Sequence, residues 1–291
     1  MGIYAAVVFF GGALLAPWNY WLIQTLATTF PALAKNPFER YVTTSMMIVA
    51  VAGLYPLLRS LNIKSLRETG LVNPKGHGKE LLAGLSLGLV SLATVAGLVL
   101  LSGARDLDFS LSTSRLVRRL SIAAISAAGV AVIEETLFRG GIFGGLRRVI
   151  KWPFALIVSS MIYSGVHFLE DAAFKEAITW HSGLELLPRL FGGGDPWSEV
   201  LPRFVNLTVA GMLLGLAYQR TGTLWFSIGL HCGWIFCLAT YRALTESVQG
   251  TSRWLWGSGK MIDGWLALIS LVLALALFAR SPWGREKQAS P

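Results

Sequence analysis

The chain has 291 residues, 54% hydrophobic and only 14% charged, with a mean hydropathy of +0.57. A soluble domain carries about 25% charged residues, so this deficit, with repeated apolar runs of about twenty residues, excludes a soluble globular protein and indicates an all-α polytopic membrane protein. The net charge of +9 falls mostly on Lys and Arg between the apolar runs, as in loops meeting anionic headgroups. No basic stripe is interleaved with aromatics, so the reading is lipid bilayer and no nucleic acid.

Eight transmembrane helices are expected within a single membrane domain over 1–291. The first runs from Ile3 to Phe30, broken by Pro17 and polar Asn19. With no Lys or Arg before it and no small-residue cleavage site after it, it reads as a retained helix. The second runs from Val42 to Leu61, followed by a polar stretch to Lys79 with turn signals at Asn73-Pro74 and Lys75-Gly76. The third covers Glu80 to Ser102, with Gly84, Gly88 and Gly97 where helices could pack closely. A loop holding Arg105, Asp106 and Asp108 leads to the fourth span, Leu120 to Leu146, which Arg147, Arg148 and Lys151 close.

Pro153 opens the fifth span, which runs to Leu169. Residues 170–202 mix charges with Trp180, Trp197 and Pro188, the composition of an interfacial loop insertion holding a short amphipathic helix. The sixth span is Phe204 to Tyr218, the seventh Leu224 to Tyr241 and the eighth Met261 to Phe278; the tail 280–291 is polar and expected to be mobile. Positive charge concentrates in the loops after the second and fourth spans and in the tail, which by the positive-inside rule puts both termini in the cytoplasm. Arg115, Arg118 and Arg119 on the other side pull against that orientation. The two cysteines, Cys232 and Cys237, share one expected helix on different faces and imply neither a disulfide framework nor a metal site.

The fourth span carries Glu134, Glu135 and Arg139, although one charged residue at a membrane helix centre costs about 2.5–3.5 kcal/mol. Nothing about crossing a bilayer requires that expense, so the segment is a functional-site hypothesis. The fifth span adds His167 and the seventh His231; of the other two histidines, His77 and His181 fall in polar loops. Glu135 and Arg139, at i and i+4, share a face and can pair, which serves structure as readily as function. Glu134, rotated about 100° from Glu135, is the better candidate to face a cavity and exchange a proton with water. Glu134, His167 and His231 thus make a candidate water-activating site. Glu-His-His is also a zinc ligand set, but it comes from three helices without the local His-x-x-x-His spacing of zincins, so no cofactor is expected and zinc stays open. A proton-coupled transporter would also bury carboxylates and histidines, yet no inverted repeat is visible.

These residues resemble the successive motifs of the CPBP family, the CAAX-protease and bacteriocin-processing membrane proteins also called the ABI family, related to the Rce1-type prenyl-protein proteases. The resemblance rests on Glu134-Glu135-x-x-x-Arg139, on Tyr163-x-x-x-His167, and on His231 in the setting Gly222-x-Leu224-x-Phe226-x-Ile228-Gly229-Leu230-His231. It runs from Arg119 to Phe236, the expected catalytic core 119–236, and includes Gly211 to Gly222. It implies an eight-helix, Rce1-like bundle acting as a metal-independent glutamic-type intramembrane endopeptidase of the bacterial cytoplasmic membrane. Glu134 would activate water with aid from His167, His231 would help form the oxyanion site, and Glu135, Arg139 and Tyr163 would support it. Its partners would be peptide or protein substrates, prenylated or membrane-anchored. Two positions depart from the family pattern: Tyr163 stands where Phe is usual, and Ile235 where the family commonly carries Asn. Isoleucine donates no hydrogen bond, and losing one oxyanion donor costs about 2.7–4 kcal/mol of transition-state stabilisation. Asn206 in the sixth span is a candidate substitute amide. The alternative is a catalytically weak or inactive scaffold acting in bacteriocin immunity or protein binding.

Overall fold

The structure is a computed structural model and describes residues 2–167, 174–192 and 197–283. Among the described residues nine main helices follow in chain order: α1 (Ile3–Thr25), α2 (Phe38–Ser60), α3 (Gly78–Leu101), α4 (Thr113–Leu146), α5 (Trp152–His167), α6 (Ser182–Gly192), α7 (Trp197–Thr221), α8 (Trp225–Leu244) and α9 (Trp265–Arg280). The strands β1 (Arg105–Leu107) and β2 (Thr245–Ser247) form an antiparallel ribbon with Arg105 opposite Ser247. The expected mobile tail beyond residue 283, the end of the fifth span at Phe168-Leu169, and positions 170–173 and 193–196 of the insertion lie outside the described residues.

Each expected span has a helix, and among the described residues five helices are long and apolar enough to cross a membrane: α1 to α4, and Val200–Thr221 within α7. The other expected spans do not meet that criterion within the described residues. The helix α9 has 16 residues, about 24 Å at 1.5 Å per residue against a hydrocarbon core of about 30 Å, and α5 is described only as far as His167. The 20 residues of α8 include His231 and Arg242, which dilute its hydropathy. Pro17 does not break α1, which continues to Thr25. Proline lacks the N–H that would bond the carbonyl four residues earlier. That carbonyl, on Ala13, lies against Gly183 of α6, where a Cβ would come within 1.9 Å of its oxygen. Asn19 does not interrupt the helix either; its amide donates to Ser45 Oγ of α2 at 2.8 Å.

The chain packs into two compact units, one of Met1–Ile63 with Gly165–Asp195, the other of Lys64–Ser164 with Pro196–Pro291. In the first, α1, α2 and α6 close over Ala13, Ala16, Phe38, Val42, Met46, Phe174 and Leu186.

In the second unit, α3 and α8 meet through glycines on both sides. A Cβ on Gly84 would fall 2.1 Å from Phe226 O, and one on Gly88 2.4 Å from Leu230 O. Reciprocally, a Cβ on Gly229 would fall 2.1 Å from Leu81 O, and one on Gly233 2.7 Å from Leu85 O. Small residues four apart on each helix let the two backbones touch, which is how apolar helices associate without a hydrophobic driving force. Gly97, expected to serve the same packing, has open space around it. Trp234 Nε1 donates to Ser91 Oγ across this interface at 2.9 Å. At its far end, buried Arg105 donates from Nη2 to Thr245 O at 2.7 Å and lies over the Tyr241 ring, so the polar loop expected after the third span is a ribbon fastened to α8.

Candidate active site

The charged motif sits where α4 changes its winding. The regular helix ends at Glu135, and Thr136–Phe143 forms a π-helical segment. Such i→i+5 segments are rare and occur frequently at functional sites. The local sequence favours the change, because Gly140 and Gly141 are poor α-formers. Gly140 also allows Thr69 to approach so closely that a Cβ would lie 2.7 Å from the threonine's own.

Five buried residues converge in the second unit: Glu134, Glu135 and Arg139 from α4, Tyr163 from α5 and His231 from α8. Arg139 Nη1 lies 3.1 Å from Glu135 Oε1, and its Nη2 donates to the Gly211 carbonyl of α7 at 3.4 Å. The same Glu135 Oε1 lies 2.8 Å from His231 Nδ1. A carboxylate only accepts, so Nδ1 carries the hydrogen, and in the neutral ring Nε2 presents its lone pair. Tyr163 Oη lies 3.3 Å from Nε2, and Glu134 Oε2 lies 3.8 Å from it. The guanidinium of Arg139 stacks 4.4 Å from the Tyr163 ring centroid, and Phe138 meets that ring edge-on at 5.1 Å.

The glycine seam explains how His231 is aimed. His231 falls midway between Gly229 and Gly233, and at 100° per residue its side chain leaves α8 on the side opposite the seam. Packing on α3 therefore turns the imidazole toward α4. The spacing Gly229-x-x-x-Gly233 carries this information in sequence, as Gly84-x-x-x-Gly88 does on α3. The bond between Glu135 and His231 had no sequence signal, since 96 residues separate them.

Among the other candidate residues, His167 is the last described residue of α5 and belongs to the first compact unit, whereas Tyr163 belongs to the second. Ile235 is partly buried, one turn beyond His231 on α8. Asn206 is not placed as the substitute donor. It is fully buried and its Nδ2 donates to both Ile262 O and Gly264 O, each at 2.8 Å, so its amide hydrogens are taken up in holding the turn before α9. The turn needs holding, because Met261 has a φ of 60°. Asn206→Ala should therefore lower the thermal unfolding midpoint, in line with about 1–3 kcal/mol for a disrupted buried hydrogen-bonding group, with no change in any turnover per folded molecule. Among the described residues, no group of three or more His, Cys, Asp or Glu is arranged to hold a metal ion.

These features define a multi-pass helical membrane protein with a buried acid–base cluster. Residues 117–237, which contain all of that cluster, match the family described as Type II CAAX prenyl endopeptidase Rce1-like. Through this segment the chain is similar to that family, in agreement with the resemblance of its sequence motifs to the CPBP and CAAX-protease proteins. Comparison with curated proteins and with solved structures gave no match.

Proposed function

We propose that the protein is an intramembrane endopeptidase of CAAX-protease type, in which Glu134 activates the hydrolytic water. The observation that carries this reading is the approach of Glu134 to His231 Nε2 at 3.8 Å, with the opposite ring nitrogen held by Glu135. Glu134 takes a proton from water as the water oxygen bonds to the scissile carbonyl carbon, whose π electrons move to oxygen. When the tetrahedral intermediate collapses, the C–N bond breaks and Glu134 returns the proton to the leaving amine. Glu135 fixes the tautomer and direction of His231, and Arg139 balances the charge of Glu135. For His167 the support is the motif resemblance and its place one turn after Tyr163 on α5; its role is to assist the water. The substrate is a peptide or protein reached within the membrane, and the family description favours a prenylated one.

The test is cleavage of a quenched-fluorescent peptide ending in a farnesylated CAAX sequence, alongside its unprenylated counterpart, by purified protein in detergent. Glu134→Gln keeps the shape of the side chain and removes the base, so the rate should fall by about 10²–10⁴-fold with the protein still folded. Cleavage at the wild-type rate would remove the peptidase assignment. Ile235 favours a second reading, a binding scaffold that performs its task without turnover; that reading requires Glu134→Gln to retain full biological activity.

A further inference from the structure

A tetrahedral oxyanion formed beside Glu134 needs a hydrogen-bond donor. Ile235 supplies none, and both hydrogens of the Asn206 amide are engaged by Ile262 and Gly264. We infer that the Tyr163 hydroxyl is the oxyanion donor of this site, an inference that rests on the peptidase reading above.

Position argues for it first. The hydroxyl is 3.3 Å and the Glu134 carboxylate 3.8 Å from the same His231 Nε2, so base and donor flank one ring nitrogen. That arrangement lets the two groups meet a single carbonyl, the carboxylate through its water and the hydroxyl at the oxygen. Chemistry argues for it next. Glu134 and Glu135, when ionised, only accept; Arg139 is turned to Glu135, to the Gly211 carbonyl and to the Tyr163 hydroxyl; and neutral His231, with its hydrogen on Nδ1, presents a lone pair at Nε2. Tyr163 is the uncharged donor of the cluster.

Rigidity is the third argument. Arg139 stacks on the face of the Tyr163 ring at 4.4 Å and Phe138 packs edge-on at 5.1 Å, which fixes the ring before charge develops. Donors held in place and shielded from water stabilise a transition state without reorganisation. In the resting site the Tyr163 O–H donates to Nε2. As the oxyanion forms, that hydrogen bond transfers to the new O⁻, and it returns to Nε2 on collapse; no proton leaves the phenol. The two departures from the family pattern are then one exchange, an amide on α8 for a hydroxyl on α5.

The experiment is a cycle of Tyr163→Phe, Ile235→Asn and the double variant, with Glu134→Gln as reference, on the farnesylated CAAX peptide. Tyr163→Phe should lower kcat by about 10²–10³-fold while KM and the thermal unfolding midpoint stay near wild type. A phosphonate analogue of the tetrahedral intermediate should lose affinity in parallel, and the uncleaved peptide should not. Ile235→Asn should recover at least part of kcat in the Tyr163→Phe background and change it little in wild type. Retention of wild-type kcat by Tyr163→Phe, with Glu134→Gln inactive, overturns the donor assignment and leaves the peptidase reading intact. A fall in kcat without loss of analogue affinity, or with no recovery from Ile235→Asn, also overturns it. Cleavage by Glu134→Gln at the wild-type rate overturns both.

Discussion

Gly229→Leu should leave little folded protein in the membrane. A Cβ at this position would sit 2.1 Å from Leu81 O and 2.9 Å from Leu85 N, both backbone atoms of α3 that cannot rotate out of the way. Relief requires α3 and α8 to separate along the whole seam, because Gly84, Gly88 and Gly233 are in similarly close contact. Overpacking by a methylene into yielding side chains already costs about 1–3 kcal/mol. Four heavy atoms against backbone should exceed that and consume much of a stability of about 5–15 kcal/mol. Separation would also break the Trp234–Ser91 hydrogen bond and turn His231 away from Glu135. The measure is abundance in isolated membranes and the monodisperse fraction after extraction. Gly97→Leu is the control: the same change on the facing helix α3, but with open space at the site. Gly229→Leu protein as abundant and monodisperse as Gly97→Leu protein would show that the seam does not hold the helices together.

How far the sequence carried the reading follows from which interactions are local. The eight apolar segments each became a helix because hydropathy and period are properties of neighbours in the chain. Their ability to cross a bilayer was less legible, since α8 is diluted by the residues that make it interesting, His231 and Arg242. Pro17 was misread as a break because the helix continues past it, with the Ala13 carbonyl it leaves without an N–H packed against Gly183, which no local pattern announces. The site itself was found from energy alone: carboxylates in apolar helices demand a reason. The partition of Glu134 from Glu135 followed from helix geometry, but the contact of Glu135 with His231 is long-range and needed the fold. Asn206 was the opposite failure. An amide in an apolar helix looked available, whereas it is held by the carbonyls of a turn 56 and 58 residues away.

Glu135 and Glu134 should respond to substitution in opposite ways, and this difference tests the whole arrangement of the cluster. Glu135→Ala removes the carboxylate 3.1 Å from Arg139 Nη1 and 2.8 Å from His231 Nδ1. It leaves a buried guanidinium without that counter-ion, which by analogy with broken buried ion pairs costs about 3–5 kcal/mol. Glu134→Gln leaves the Glu135–Arg139 pair in place and should leave the unfolding midpoint close to wild type while abolishing turnover. If the penalty at Glu135 comes from the stranded charge, removing that charge should relieve it. The pair Glu135→Leu with Arg139→Met should therefore recover most of the stability that Glu135→Ala loses, since well-packed apolar side chains often replace a buried pair without loss. Turnover should not recover, because His231 would still lack the acceptor that sets its tautomer. Unfolding midpoints in detergent, read beside cleavage of the farnesylated peptide, separate the two effects. Equal stability of Glu135→Ala and wild type would mean that Glu135 does not carry the charge of Arg139. Recovered turnover in the double variant would mean that His231 needs no anchor at Nδ1.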